Sequence, residues 1–167
     1  MEKLIDSDSI QQRVLELAQA ISIDHVQSDN ILPPVLICVL NGSIHFFSDL
    51  TRMMSIECEI DFLRLKSYSG QDNSGGVQCL KELELDLKGK RVYIVDDICD
   101  TGETLIEALI KVNSRMPADV KVVTLLRRAT SPITTDFCGF EIGDEWVYGY
   151  GLDNNGLARG LKDIHKI

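Results

Sequence analysis

The stretch Val92-Tyr93-Ile94-Val95-Asp96-Asp97-Ile98-Cys99-Asp100-Thr101-Gly102-Glu103-Thr104 decides the fold. Val92 to Val95 is a short apolar run with β-branched residues, the pattern of a strand buried on both faces. Downstream of the stretch, apolar residues recur at helical spacing to about Asn113. Between the two, Asp96 and Asp97 end the strand, and Thr101, Gly102 and Thr104 turn the chain into the helix. Such a turn presents several backbone N–H groups together at the positive end of a helix dipole, so it can hold a phosphate without lysine or arginine. The Thr101 and Thr104 hydroxyls add donors. The adjacent carboxylates of Asp96 and Asp97 suit the hydroxyls of a sugar joined to that phosphate, or a Mg²⁺ chelated by them. The same residues would also make a plain helix cap, with Asp100 or Thr101 at the N-cap. The stretch is neither a Walker loop nor a G-x-G-x-x-G dinucleotide turn.

Outward from this core, the chain alternates strand and helix patterns. Val35 to Leu40 reads as a strand after Pro33 and Pro34, followed by the turn Asn41-Gly42-Ser43 and a helical pattern through Phe46, Phe47 and Leu50. Ile10, Val14, Leu15, Leu17, Ala18 and Ile21 predict an amphipathic helix from about Ser9 to Ile21. Glu59 to Lys66 alternates apolar and polar side chains, as a strand with one wet face does, and Val120 to Leu126 is a further strand. The Gly, Ser, Asn and Asp of Ser67 to Gly76 predict a mobile loop. From Phe137 to Ile167 the strand-like pieces FCGFEI and WVYGYG carry little helical pattern and are expected to cap the sheet. The class is α/β: a mostly parallel twisted sheet flanked by helices, with a small hood from the chain ends, and ligands outside the carboxyl ends of the strands. The whole chain, 1–167, is expected to be one domain.

Composition narrows the partners. The formal net charge of -9 argues against a nonspecific grip on nucleic acid or on an anionic membrane, so an anionic ligand must meet a local positive device. Cys38, Cys58, Cys79, Cys99 and Cys138 are widely spaced and form no C-x-x-C pair, which suits free thiols. The start MEKLIDSDSI lacks a basic-then-apolar signal pattern, and the apolar stretch Ile31 to Leu40 is broken by two prolines. A soluble, cytoplasmic chain is the expectation.

With these residues in view, VDDICDTGET resembles the fingerprint of the type I phosphoribosyltransferases, which bind 5-phosphoribosyl-1-pyrophosphate. The resemblance extends to the hypoxanthine-guanine branch through VLICVLNGSIHFFSDL, DFLRLKSYSG and DFCGFEIGDEWVYGYGLDNNGLARGL, from Val35 to the C-terminus. It implies purine salvage: a purine base and phosphoribosyl pyrophosphate yield a nucleoside monophosphate and pyrophosphate, with Mg²⁺ as cofactor, in a homodimer or homotetramer.

Position by position, the resemblance implies that Asp96 and Asp97 contact the ribose hydroxyls, Asp97 through Mg²⁺-bound water. Asp100, Thr101, Gly102, Glu103 and Thr104 would hold the 5′-phosphate, and Asp100 would also exchange the proton at N7 of the purine. Asn41 and Gly42 fall in the pyrophosphate loop, where the resemblance puts a cis peptide between these two residues. Ser67 and Tyr68 would open the catalytic loop that closes over the activated ribose. Trp146 would stack on the purine, Val147 would pair with its edge through the backbone, and Asp153 would line the same pocket and hold a second Mg²⁺. Arg159 would bind pyrophosphate.

Three departures stand out. Arg128 replaces the usual lysine that donates to the purine 6-oxo group, which leaves hypoxanthine, guanine and xanthine open in rank. Asn41 replaces a lysine of some relatives, and Glu103 adds a negative charge within the phosphate turn, with its side chain expected to point outward. Each assignment has a structural alternative: a plain turn for Asn41-Gly42, a polar loop for Ser67-Tyr68, core packing for Trp146. Rival functions are the same chemistry on another base, a chain that binds the sugar phosphate without catalysis, and an RNA-binding regulator on the same fold, which would need a basic face.

Overall fold

The computed structural model describes residues 2–68 and 76–167, the side chain of Tyr68 excepted. The elements run β1 (Glu2–Ile5), α1 (Ser7–Gln27), β2 (Val35–Leu40), α2 (Ile44–Met53), β3 (Glu59–Tyr68), β4 (Gly76–Lys81), β5 (Arg91–Cys99), α3 (Glu103–Asn113), β6 (Asp119–Arg128), β7 (Phe137–Ile142), β8 (Val147–Tyr148) and β9 (Ile164–Lys166). The main sheet has six strands in the order β4-β3-β2-β5-β6-β7, parallel throughout except for the antiparallel β3–β4 pair.

Strands buried on both faces must be apolar at every position, and alternate residues then serve opposite cores. Leu36, Cys38, Tyr93 and Val95 face one cluster with Ile10, Val14, Leu17 and Ile21 of α1 and Phe46, Phe47 and Leu50 of α2. Val35, Ile37, Val39, Val92 and Ile94 face the other, with Leu105, Ala108 and Val112 of α3. Each fully buried Val, Leu, Ile or Phe among them stabilises the fold by about 1.5–3 kcal/mol.

The connections place the site. After β2 the chain crosses through α2 to β3 on one side of β2; β5 then pairs with the other side of β2 and hands on through α3 to β6. The order therefore reverses between β2 and β5, and a crevice opens at the carboxyl ends of these two strands. A three-stranded sheet, β1-β9-β8, brings the two chain ends together as the hood.

Several boundaries differ from the sequence reading. Helix α1 starts at Ser7 because the Asp6 side chain caps it, accepting from Ser9 N at 2.8 Å, and it continues past Ile21 to Gln27 although Ile23 and Val26 are exposed. Strand β5 does not end at the acidic pair; it runs to Cys99 because β6 pairs alongside it as far as Arg127. Ser67 and Tyr68 do not open the loop but close β3, opposite Val77 and Gly76 of β4, a strand the Gly- and Ser-rich composition hid. The rest of the expected loop, 69–75, lies outside the described residues.

Candidate active site

Two cavities meet at the carboxyl ends of β2 and β5. The first, about 310 Å³, is lined by Gly42, Asp96, Asp97, every residue from Asp100 to Thr104, Asp153 and Arg159. The second, about 220 Å³, is lined by Asp97, Ile98, Asp100, Arg128, Trp146, Val147, Leu152 and Asp153. Asp97, Asp100 and Asp153, together with Ile98, thus form a shared wall between a polar chamber and one with an aromatic ring.

The phosphate-type turn is built around Gly102, which occupies the N-cap of α3 at φ 84°. The cap is therefore Gly102 and not Asp100 or Thr101: the left-handed backbone suits glycine, and a β-carbon there would overlap the Ile133 side chain. Among the described residues, the amides of Thr101 to Thr104 make one bond to the chain itself, a long 3.5 Å contact from Glu103 N to Thr101 Oγ1. They remain available to an anion at the start of α3. Glu103 is exposed, as expected of a side chain pointing outward.

Behind this turn stands the acidic pair. Asp96 is buried; its Oδ1 accepts from Asp97 N at 3.0 Å and lies 3.2 Å from Ser43 Oγ. Asp97 accepts from Ile98 N at 2.8 Å. Burial pushes both carboxyls above the ordinary value, Asp96 well above it with the neighbouring Asp97 charge adding, while Arg159 pulls Asp97 the other way. Two carboxylates so held attract a hard cation or hydroxyl donors. Among the described residues, however, no group of three or more His, Cys, Asp or Glu is placed to hold a metal by itself.

The turn after β2 closes the polar chamber. Gly42 packs directly on the Asp97 carboxylate, and the Gly42 carbonyl in turn packs on Gly151, which sits at φ 102°. The cis bond joins Leu40 to Asn41 at the end of β2, one bond earlier than the sequence reading placed it. Asn41 itself is exposed and lines neither cavity. Across the chamber, Arg159 Nη1 donates to Gly151 O at 2.7 Å and Nη2 to Asp153 Oδ1 at 2.8 Å, so these two expected residues form an ion pair.

In the second cavity, Trp146 is 58% exposed, which rules out core packing for its ring, and Val147 is buried. Arg128, at the end of β6, reaches Asp100. Ser67 is exposed and borders neither cavity, and the Tyr68 side chain lies outside the described residues. Sequence reasoning missed Ser43, Ile98, Ile133, Gly151 and Leu152; the two glycine-rich pieces LNGS and YGYG were the available signal for close backbone approach at Gly151.

Comparison with known proteins agrees with this geometry. A family model described as a phosphoribosyl transferase domain matches residues 6–155. A hypoxanthine-guanine-xanthine phosphoribosyltransferase of Tritrichomonas foetus is 34% identical over 165 residues, covering 96% of this chain and 88% of the relative. A hypoxanthine phosphoribosyltransferase of Escherichia coli is 36% identical over 171 residues, covering 100% and 95%. Among solved structures, a hypoxanthine-guanine phosphoribosyltransferase of Bacillus anthracis superposes with a TM-score of 0.91 at 33% identity, covering 100% of this chain and 98% of the other. From the matched sequence, the shared fold and a strand-to-helix turn with free amides beside paired aspartates, it follows that the chain belongs to the phosphoribosyltransferase family.

Proposed function

We propose that the chain, acting as a single domain, 1–167, transfers the phosphoribosyl group of 5-phosphoribosyl-1-pyrophosphate to a 6-oxopurine, releasing pyrophosphate. The names of its relatives support hypoxanthine and guanine as the bases. The observation that carries the reading is the shared wall of Asp97, Asp100 and Asp153 between a chamber of free amides and one holding Trp146 and Arg128. That is the layout a sugar phosphate and a flat base need when they are to be joined at one carbon.

In this reading the amides and hydroxyls from Asp100 to Thr104 take the 5′-phosphate, and Asp96 and Asp97 take the ribose hydroxyls. The base enters edge-on with its 6-oxo oxygen at Arg128, an all-donor group that meets a carbonyl and repels a 6-amino group. Trp146 covers its face, and the Val147 backbone meets its edge. Asp100, next to N7, accepts or returns the proton that the base exchanges as its nitrogen bonds to C1 of the ribose. Positive charge develops at C1 while the C1–O bond to pyrophosphate breaks. Gly42 and Asn41, through the backbone, and Arg159, released from Asp153, meet the departing group. Ser67 and Tyr68, at the end of β3, sit on the side of the site from which water is to be kept off the ribose.

The residues present fit a magnesium ion. Asp96 and Asp97 offer oxygen donors whose mutual repulsion a cation relieves, and Asp153, across the chamber, offers a carboxylate to a second ion. When bound there, Mg²⁺ neutralises pyrophosphate charge, which is how a chain of net charge -9 accommodates a polyanion. We place the activity in the cytoplasm, in a homodimer or homotetramer. No helix among the described residues is long and apolar enough to cross a membrane.

The test is a product assay with phosphoribosyl pyrophosphate and Mg²⁺, offering hypoxanthine, guanine, xanthine, adenine and uracil separately. Inosine and guanosine monophosphate are expected. Transfer to adenine or uracil in preference to the oxopurines, or to no base at all, would refute the reading.

A further inference from the structure

Arg128 touches both Asp100, in the wall of the base cavity, and the turn that precedes Trp146. Its Nε lies 3.0 Å from Asp100 Oδ2, and its Nη1 donates to the carbonyls of Gly143 at 2.7 Å and Glu145 at 3.0 Å. The Arg128 side chain is 11% exposed, against 55% for Asp100, so the arginine is the fixed partner and the carboxylate is held to it. Gly143 to Glu145 is the turn that leads straight into Trp146. On its far side the Trp146 carbonyl accepts from Ile167 N at 3.0 Å. A guanidinium spreads its donors over a rigid planar fork, so one edge meets a carboxylate while another meets carbonyls; an ammonium gathers its three donors at a single nitrogen on a flexible stem.

We propose that Arg128 is a positioning residue that ties the Asp100 carboxylate to the Gly143–Glu145 turn, so that one side chain sets both the group facing the base edge and the Trp146 ring covering its face. The proposal rests on the purine reading above and adds to it. Donating to a 6-oxo oxygen needs a donor only, which lysine supplies; the carboxylate and the turn are here met by two different nitrogens, Nε and Nη1, whose separation the planar fork fixes. With the fork in place the base enters a slot already ordered and does not have to order it on binding, so the clamp acts on base affinity more than on the chemical step.

Trp146 is the only tryptophan in the chain, so its fluorescence reads the turn with no substrate present. The full chain is compared with Arg128→Lys and Arg128→Met for acrylamide quenching of that emission, melting temperature, and the kcat and KM for hypoxanthine and phosphoribosyl pyrophosphate. Both variants are expected to be quenched more readily than the parent at a melting temperature within a few degrees of it. The hypoxanthine KM should rise about tenfold, the size of one ordering cost, with the phosphoribosyl pyrophosphate KM little changed. Arg128→Lys keeps the charge beside Asp100 and decides the matter if Arg128→Met does not fold. Unchanged quenching in Arg128→Lys would overturn the clamp, leaving Arg128 a simple donor. A rise in both KM values with a large fall in melting temperature would also overturn it, as general loss of fold. If the parent chain makes no nucleotide from any base, the purine reading fails, and the quenching comparison still decides the clamp.

Discussion

Gly42 lies against the carboxylate of Asp97 so closely that a β-carbon at position 42 would overlap Asp97 Oδ2. The turn after β2 and the acidic pair within β5 are thereby set to each other across the point where the strand order reverses. Any larger residue must displace the Asp97 carboxylate or the turn itself.

Gly42→Ala is therefore expected to fold and to lose about a hundredfold in kcat/KM for phosphoribosyl pyrophosphate, the effect of displacing a positioned group by about 1 Å. Steady-state kinetics beside a thermal melt check this. A variant with parental kinetics would mean that the chamber does not use this contact.

Asp100 stands at the junction of the two cavities, and in the proposed function it is assigned the proton transfer. Asp100→Ala should lower kcat by about 10²–10⁴-fold, the usual contribution of general acid–base catalysis, while the KM for phosphoribosyl pyrophosphate moves far less. Single-turnover rates at saturating substrate measure it. Near-normal turnover would remove Asp100 from that role.

Gly102 is held at φ 84° with Ile133 where a β-carbon would go. In Gly102→Ala both the strain and the overlap shift the amides that start α3. The expected outcome is weaker binding of nucleoside monophosphate and phosphoribosyl pyrophosphate with a smaller effect on the free base, read by calorimetry for each ligand. Equal binding of the phosphorylated ligands by parent and variant would place the phosphate elsewhere.

How much of this the sequence disclosed depends on how local each feature is. The acidic pair, the Asp-Thr-Gly turn and α3 are consecutive, so one stretch carries strand, turn and helix together, and the parallel sheet follows from the alternation around it. The hood is less legible: β1 and β9 are short strands from opposite chain ends, and their pairing of Glu2 with Lys166 leaves no periodic trace. Strand β4 was hidden because it follows a Gly- and Ser-rich stretch whose composition reads as loop, although its own exposure alternates residue by residue. Among site residues, Trp146 and Asp153 could be assigned from their motif. That Arg128 is paired with Asp100, and Arg159 with Asp153, depends on side chains brought together from separate elements and turns.

Away from the site, Asp49 links α2 to α1 and the hood: its Oδ2 accepts from Gln11 Nε2 at 2.8 Å and Tyr150 Oη at 2.5 Å, and its Oδ1 lies 2.6 Å from Arg52 Nη2. Burial alone would raise its carboxyl, but the hydrogen bonds from Tyr150, Gln11 and Arg52 outweigh that and hold it below the ordinary value. A carboxyl depressed by folding contributes stability that is present above the unfolded value of about 3.9 and is lost as pH falls through the folded value. Asp49→Asn should therefore be less stable than the parent at pH 7, by about 1–3 kcal/mol, and the gap should narrow at acid pH. Urea unfolding of both chains across the acid range checks this; a gap that widens at low pH contradicts the assignment.

The central claim is that the amides from Asp100 to Thr104 hold the phosphate of a ribose whose hydroxyls face Asp96 and Asp97. It is tested most directly by a crystal structure of the chain with bound inosine monophosphate. The account predicts phosphate oxygens within hydrogen-bond distance of the Thr101 to Thr104 amides, the ribose hydroxyls at the aspartate pair and the purine ring against Trp146. A phosphate bound in any other place, with those amides facing water alone, would contradict it.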